Sequence, residues 1–187
     1  MIKKMTAARI SFKSHMSCAM KYAKDQDKYD QLSLNGKDCN QTASRSFENT
    51  WHKLENKVLD CPADSWEVIE TTIMDCHSDI AHSIFSQVVL AYKYDRKLAI
   101  SLLNTAKNYG DRLLNAEIKN IKKEDKEKLS KAAGMANLKF ANSWQAAILK
   151  AERNGVDIGF ISGVADYVKT DVDDLIDDLL EAIVQDI

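Results

Sequence analysis

Residues 170–187 read TDVDDLIDDLLEAIVQDI, and this stretch decides the fold class. At about 100° per residue, its apolar side chains fall on one arc of a helix and its acidic side chains on the opposite arc. The apolar arc holds Val172, Leu175, Ile176, Leu179, Leu180, Ile183 and Ile187, and the acidic arc holds Asp173, Asp174, Asp177, Asp178 and Glu181. This separation predicts an amphipathic α-helix whose apolar side docks onto a core or onto a partner.

The same three-and-four spacing of apolar residues recurs upstream, so the whole chain is predicted to be helical. A first stripe starts at Met5, and its helix should fade before Asn35-Gly36. A second helix carries Phe47, Trp51, Leu54 and Val58 and should end before Cys61-Pro62. A third should run over about residues 64–93. A fourth spans Leu98 to Ala116 with Gly110-Asp111 as a candidate interruption, and a fifth spans Leu129 to Ala151.

Three of the six glycines lie in residues 155–163, GVDIGFISG, which makes this segment the best candidate for a hinge. We expect a short helix up to Val168 and a new helix that begins at Thr170, with Asp173 completing a capping box. The predicted architecture is all-α: an elongated bundle of about five to six helices with up-and-down connections. Residues 1–187 form a single domain, with a C-terminal amphipathic helix, residues 164–187, that is able to move on the hinge.

Composition favours a soluble protein without a strong pull toward nucleic acid or lipid, because hydrophobic residues make up 45% and the net charge is −2. Charge is nevertheless uneven: residues 1–50 have nine basic and five acidic residues, and residues 151–187 have two and ten. No apolar run reaches the length of a membrane span. We therefore expect a cytoplasmic protein, and we expect its four cysteines to be reduced thiols.

The acids of residues 66–82, WEVIETTIMDCHSDIAH, are the strongest candidates for catalysis. All-helical nucleotide pyrophosphohydrolases hold Mg²⁺ with paired acids from two helices, and such a site would use Glu67, Glu70, Asp75 and Asp79. The pattern is incomplete, since Cys76 stands where the second pair needs an acid. The DDxxD at Asp173, Asp174 and Asp177 likewise has no second acidic cluster that could bind the same Mg²⁺ ions from another helix. A Mg²⁺-dependent phosphohydrolase is therefore an alternative prediction.

Other binding chemistry has weaker support. The sequence has no CxxC and no HxxxH, so we predict no metal site and no cofactor. A basic N-terminal helix could bind nucleic acid, as a second alternative, through Lys3, Lys4, Arg9, Lys13, Lys21 and Lys24. The absence of stacking aromatic residues on that surface argues against it.

The leading prediction is a non-enzymatic helical bundle that acts through protein–protein interaction or self-association. If the last helix reaches a partner, its apolar anchors would be Leu175, Leu179, Leu180 and Ile183. Its steering charges would be Asp174, Asp177, Asp178 and Glu181.

Overall fold

The computed structural model describes residues 1–56, 65–159 and 161–184, and within these ranges it has seven α-helices and no strand. The helices are α1 (Ile2–Lys24), α2 (Gln26–Leu34), α3 (Cys39–Glu55), α4 (Ser65–Phe85), α5 (Lys93–Lys123), α6 (Lys126–Glu152) and α7 (Ile161–Val184). The predicted all-α bundle is confirmed. At 31 residues α5 is about 46 Å long, so the bundle is elongated. Val58, Cys61, Pro62 and Ile187 lie outside the described residues.

The centre of the bundle is the pair α1 and α5, which pack closely against each other. Phe12 of α1 lies over Gly110 of α5, and a Cβ atom at Gly110 would come within 2.5 Å of Phe12 Cε1. The prediction that Gly110-Asp111 interrupts the helix is wrong, because α5 continues unbroken through both residues. Gly110 serves close helix packing rather than a turn.

Around this central pair, α3 and α4 pack against α1, α6 packs against α5, and α7 packs mainly against α4. Trp51 of α3 is fully buried, and Tyr109, Phe140 and Trp144 form a chain of ring contacts between α5 and α6. The predicted helix over residues 64–93 is too long. The observed helix, α4, ends at Phe85, and a run of turns follows. The carbonyl oxygens of Leu90 and Ala91 in these turns accept hydrogen bonds from the Arg96 guanidinium of α5.

The first helix also ends earlier than predicted, because Asp25 adopts an extended backbone conformation. Its carboxylate accepts a hydrogen bond from the amide of Lys28 at 3.0 Å and thereby caps a separate short helix, α2. No residue of α2 is buried. This short helix lies beside the C-terminal end of α1 and was not expected as a separate element.

At the C-terminal end, Gly155 and Gly159 both have positive φ, in the turn that separates α6 from α7. The predicted short helix and new start at Thr170 are wrong, since α7 runs without a break from Ile161. The buried residues Val164, Val168 and Val172 continue one stripe across Thr170. Within the described ranges, no helix has both the length and the apolar character that crossing a membrane requires.

Candidate functional site

The four acids of the phosphohydrolase alternative do not share one site. Glu67, Asp75 and Asp79 are exposed on α4, whereas Glu70 is buried. In the part of the chain that the structure describes, no three His, Cys, Asp or Glu side chains are placed to hold a metal ion together. The geometry therefore does not assemble the paired carboxylates that this chemistry requires.

Glu70 instead belongs to a buried polar cluster between α1, α3 and α4. Its Oε2 accepts from the Ser11 hydroxyl at 2.9 Å, and its Oε1 accepts from His15 Nε2 at 2.8 Å. The other ring nitrogen of His15 lies 3.1 Å from Asn40 Oδ1. Burial acts to raise the pKa of Glu70, but the hydrogen bonds from His15 and Ser11 hold it below the usual value. Glu70 is therefore an ionised structural residue.

The Glu70 cluster resembles a catalytic triad in composition but not in geometry. The Ser11 hydroxyl donates to the carboxylate and not to the imidazole, so His15 is not placed to act as its general base. Ser11, His15 and Glu70 are all buried. Next to them His77 is also buried, its Nε2 has no hydrogen-bond partner, and burial together with the nearby His15 lowers its pKa to about 4. This cluster holds helices together and is closed to a substrate.

The acidic side of α7 faces outward, as the sequence pattern predicts. Asp174, Asp177, Asp178 and Glu181 are exposed, while Leu175, Leu179 and Ile183 are buried and Leu180 is partly buried in the core of this same chain. Asp173 accepts a hydrogen bond from the Tyr109 hydroxyl at 3.0 Å. In this conformation the helix offers a partner its charges but not its apolar anchors.

One corner of this acidic surface is shared with α4. Burial raises the pKa of Asp171, and so does the negative charge of Asp79 and Asp174. The Cys76 thiol lies beneath, donating to the carbonyl oxygen of Asp171 at 3.3 Å, and burial strongly raises its pKa. This thiol is therefore protonated and unreactive.

The six basic residues predicted to bind nucleic acid do not form one surface. Lys3 is exposed, but Lys4 is buried and its ammonium lies over the Trp51 ring at 4.9 Å. Arg9 Nε donates to Asp111 Oδ1 at 2.7 Å, and Lys13 Nζ lies 3.2 Å from the same oxygen. Only Lys13, Lys21 and Lys24 border a common groove.

This groove, which we call the lysine groove, has a volume of about 890 Å³. One wall is the face of α1 from Ile10 to Lys24, and the other is the first two turns of α3 from Cys39 to Ser46; α2 closes one end with Lys28, Tyr29 and Leu32. The fifteen residues from Ile10 to Lys24 are separated by fourteen helical rises, which gives the groove a length of about 21 Å. Its volume is at the upper end of the range for ligand pockets.

Positive charge and apolar surface occur together in the lysine groove. Its basic residues are Lys13, Lys21, Lys24, Lys28 and Lys37, against one acid, Asp25, whose carboxylate caps α2. Among the described residues, no carboxylate lies within ion-pair distance of Lys21, Lys24, Lys28 or Lys37. The groove also contains Ile10, which is 57% exposed, and Leu32, which is 41% exposed. Such a surface suits a ligand that is both acidic and apolar.

The sequence did not predict that Lys28 and Lys37 lie beside the α1 lysines. Lys28 and Lys37 lie on segments that the pattern treated as the end of one helix and a turn. The expectation of four reduced cysteines is also wrong for two of them, because Cys18 and Cys39 form a disulfide bond on the floor of the groove. Their separation of 21 residues in the sequence does not predict a disulfide bond. The two cysteines meet because α1 packs closely against α3.

No protein-family model matches this sequence, and no curated protein and no solved structure shows significant similarity to it.

Proposed function

We propose that the protein is a non-enzymatic binding module that takes an acidic amphipathic helix of a partner protein into the lysine groove. The observation that carries this proposal is the combination, in one groove, of four lysines without a carboxylate partner and two exposed apolar side chains, Ile10 and Leu32. A helix of about 14 residues matches its length of about 21 Å. Acids on the helix flanks would face the lysines, and its apolar stripe would cover Ile10 and Leu32.

A protein segment fits this surface better than a nucleic acid does. The lysine groove has no arginine to grip phosphate with two parallel hydrogen bonds, since Arg9 is bound to Asp111 and Asn115. Its aromatic ring, Tyr29, is half-buried and packs edge-on against Tyr22, so it is not presented for base stacking.

A second copy of this chain is a less suitable occupant. Its acidic helix α7 has the required charge, but Leu175, Leu179 and Ile183 are held in its own core. Without these side chains α7 would leave Ile10 and Leu32 uncovered. The partner is therefore a different protein, and we place the interaction in the cytoplasm, consistent with the sequence-based expectation. Binding by the α7 acids stays a prediction.

The proposal can be tested by fluorescence anisotropy with a labelled 14-residue amphipathic peptide that has Glu on its polar face and Leu on its apolar face. Binding to the wild-type protein is expected, and the double substitution Lys21→Glu with Lys24→Glu should weaken it by about tenfold or more. Lys119→Glu with Lys122→Glu is the matched control, because these exposed lysines are on α5, away from the groove. A peptide with Gln in place of Glu should bind poorly.

Three results would contradict this function. Equal loss of peptide binding in both double variants would mean that net charge, and not the groove, is responsible. A single-stranded oligonucleotide that bound more tightly than the peptide, with a steep dependence on salt, would favour the nucleic-acid alternative. Dimer formation blocked by the Lys21 and Lys24 substitutions, measured by sedimentation, would favour self-association.

A further inference from the structure

The part of the lysine groove that contains α2 makes few contacts with the core. From Lys24 to Thr42 no residue is buried, although Ala23 and Ala43 on either side both are. The segment 24–42 contributes three of the groove lysines and Leu32. Its ties to the rest of the chain include the Tyr29–Tyr22 ring contact and the hydrogen bond of Asn40 with His15. Segments with so few buried contacts open locally at low cost in free energy.

The Cys18–Cys39 disulfide is the covalent tie on this segment. Cys18 is 2% exposed and fixed in the core by α1, whereas Cys39 is half-buried at the first turn of α3. The bond therefore anchors the end of an otherwise loosely held segment to the rigid centre of the bundle. Both sulfur atoms belong to residues that line the groove itself.

We propose that this disulfide is a redox latch that controls the lysine groove. When the bond is formed, segment 24–42 is held against α1 and the groove is complete; when it is reduced, the segment detaches, and Lys28, Lys37 and Leu32 no longer face the bound helix. The oxidised protein is thus the binding-competent form. This inference rests on the proposed function, and it is consistent with a cytoplasmic location, where persistent disulfides are rare and those that occur are usually transient and redox-sensing.

The chemistry requires a reductant, and we infer a dithiol. Its thiolate attacks the accessible Cys39 Sγ and displaces Cys18 Sγ as a thiolate, which takes up a proton. The second thiolate of the reductant then attacks the first sulfur of the reductant, which is bonded to Cys39 Sγ in the mixed disulfide. This step releases Cys39 Sγ, which also takes up a proton. The dithiol becomes a disulfide, and the two cysteines gain two electrons and two protons. Lys21 Nζ, 3.5 Å from Cys39 Sγ, stabilises the negative charge on Cys39 Sγ when it leaves in this second step.

The latch can be tested on the full chain with two separate measurements. Hydrogen–deuterium exchange followed by mass spectrometry should show exchange in residues 24–42 at least about tenfold faster after treatment with dithiothreitol, with α5 unchanged. The affinity for the labelled acidic peptide should fall at least about fivefold, and reoxidation should restore it. The variant with Cys18→Ser and Cys39→Ser should behave like the reduced protein and should not respond to dithiothreitol.

The two measurements separate the latch from the function on which it rests. Unchanged exchange in residues 24–42 on reduction refutes the latch, whatever the peptide does. Faster exchange across α5 as well refutes it too, because the bond would then stabilise the whole fold and not one segment. Faster exchange in 24–42 with unchanged peptide affinity refutes control of the groove. Absence of peptide binding in both redox states refutes the proposed function, and control of binding with it.

Discussion

Two helical glycines should respond in opposite ways to the same substitution by alanine. Gly134 of α6 is exposed, and a Cβ atom there would have no atom within 4 Å apart from its chain neighbours and the backbone of its own helix. At Gly110 of α5, a Cβ atom would come within 2.5 Å and 2.8 Å of two atoms of the Phe12 ring. In the interior of a helix, alanine is more favourable than glycine by about 1 kcal/mol. Gly134→Ala should therefore stabilise the protein by up to about 1 kcal/mol.

At Gly110 the same gain in helix propensity is outweighed by steric repulsion. Phe12 is fully buried, so its ring can move aside only within the core. Overpacking of a core costs about 1–3 kcal/mol, and Gly110→Ala should therefore destabilise the protein by up to about 2 kcal/mol. Since both substitutions share the propensity term, the difference between them isolates the contact of α1 with α5, at about 1–3 kcal/mol.

Urea unfolding followed by far-ultraviolet circular dichroism measures these free energies, with thermal midpoints changing by about 2–4 °C per kcal/mol in a chain of this size. In a Phe12→Leu background, Gly110→Ala should become markedly less unfavourable, because the smaller side chain leaves room for the methyl group. If Gly110→Ala stabilised the wild-type protein as much as Gly134→Ala does, the close approach of α1 to α5 would be refuted.

Two further predictions concern the buried polar cluster. Glu70→Ala should lower the unfolding free energy by about 3 kcal/mol, because it leaves Ser11 and His15 buried without their acceptor. Glu67→Ala, at an exposed position, should change the unfolding free energy by less than about 0.5 kcal/mol. Similar losses in urea titrations of the two variants would contradict the structural role of Glu70. The His77 pKa is lowered to about 4 in the folded chain, so the unfolded chain binds the proton more readily. The stability of the protein should therefore be unaffected by His77 above about pH 6.5 and should fall by about 3 kcal/mol as the pH falls toward 4. His77→Phe should remove this part of the pH dependence, measured as unfolding free energy against pH, and substitution of the exposed His82 by Asn should not; an unchanged slope in His77→Phe would show that other groups are responsible.

The sequence alone determined the elements whose burial follows one regular period. The separation of acids from apolar residues after Thr170 predicted the outward face of α7 correctly, because apolar residues that share one arc leave a helix only one way to bury them. The stripes through Phe12 and Phe140 were equally clear. Helix ends were predicted less well: Asp25 stops α1 and Phe85 ends α4 through local hydrogen bonds that compete with continuation of the helix.

The tertiary structure decided everything that depends on which helices are neighbours. Spacing along one helix placed Glu70 beside Glu67, but the packing of α1 against α4 turned it inward to His15, 55 residues away. In the sequence Arg9 looks like a free basic residue, but in the fold it donates a hydrogen bond to Asp111, which is 102 residues away. The lysine groove and the Cys18–Cys39 bond likewise exist only because α1 lies against α3. Periodicity reports which side of a helix is buried, and it contains no information about what that side is buried against.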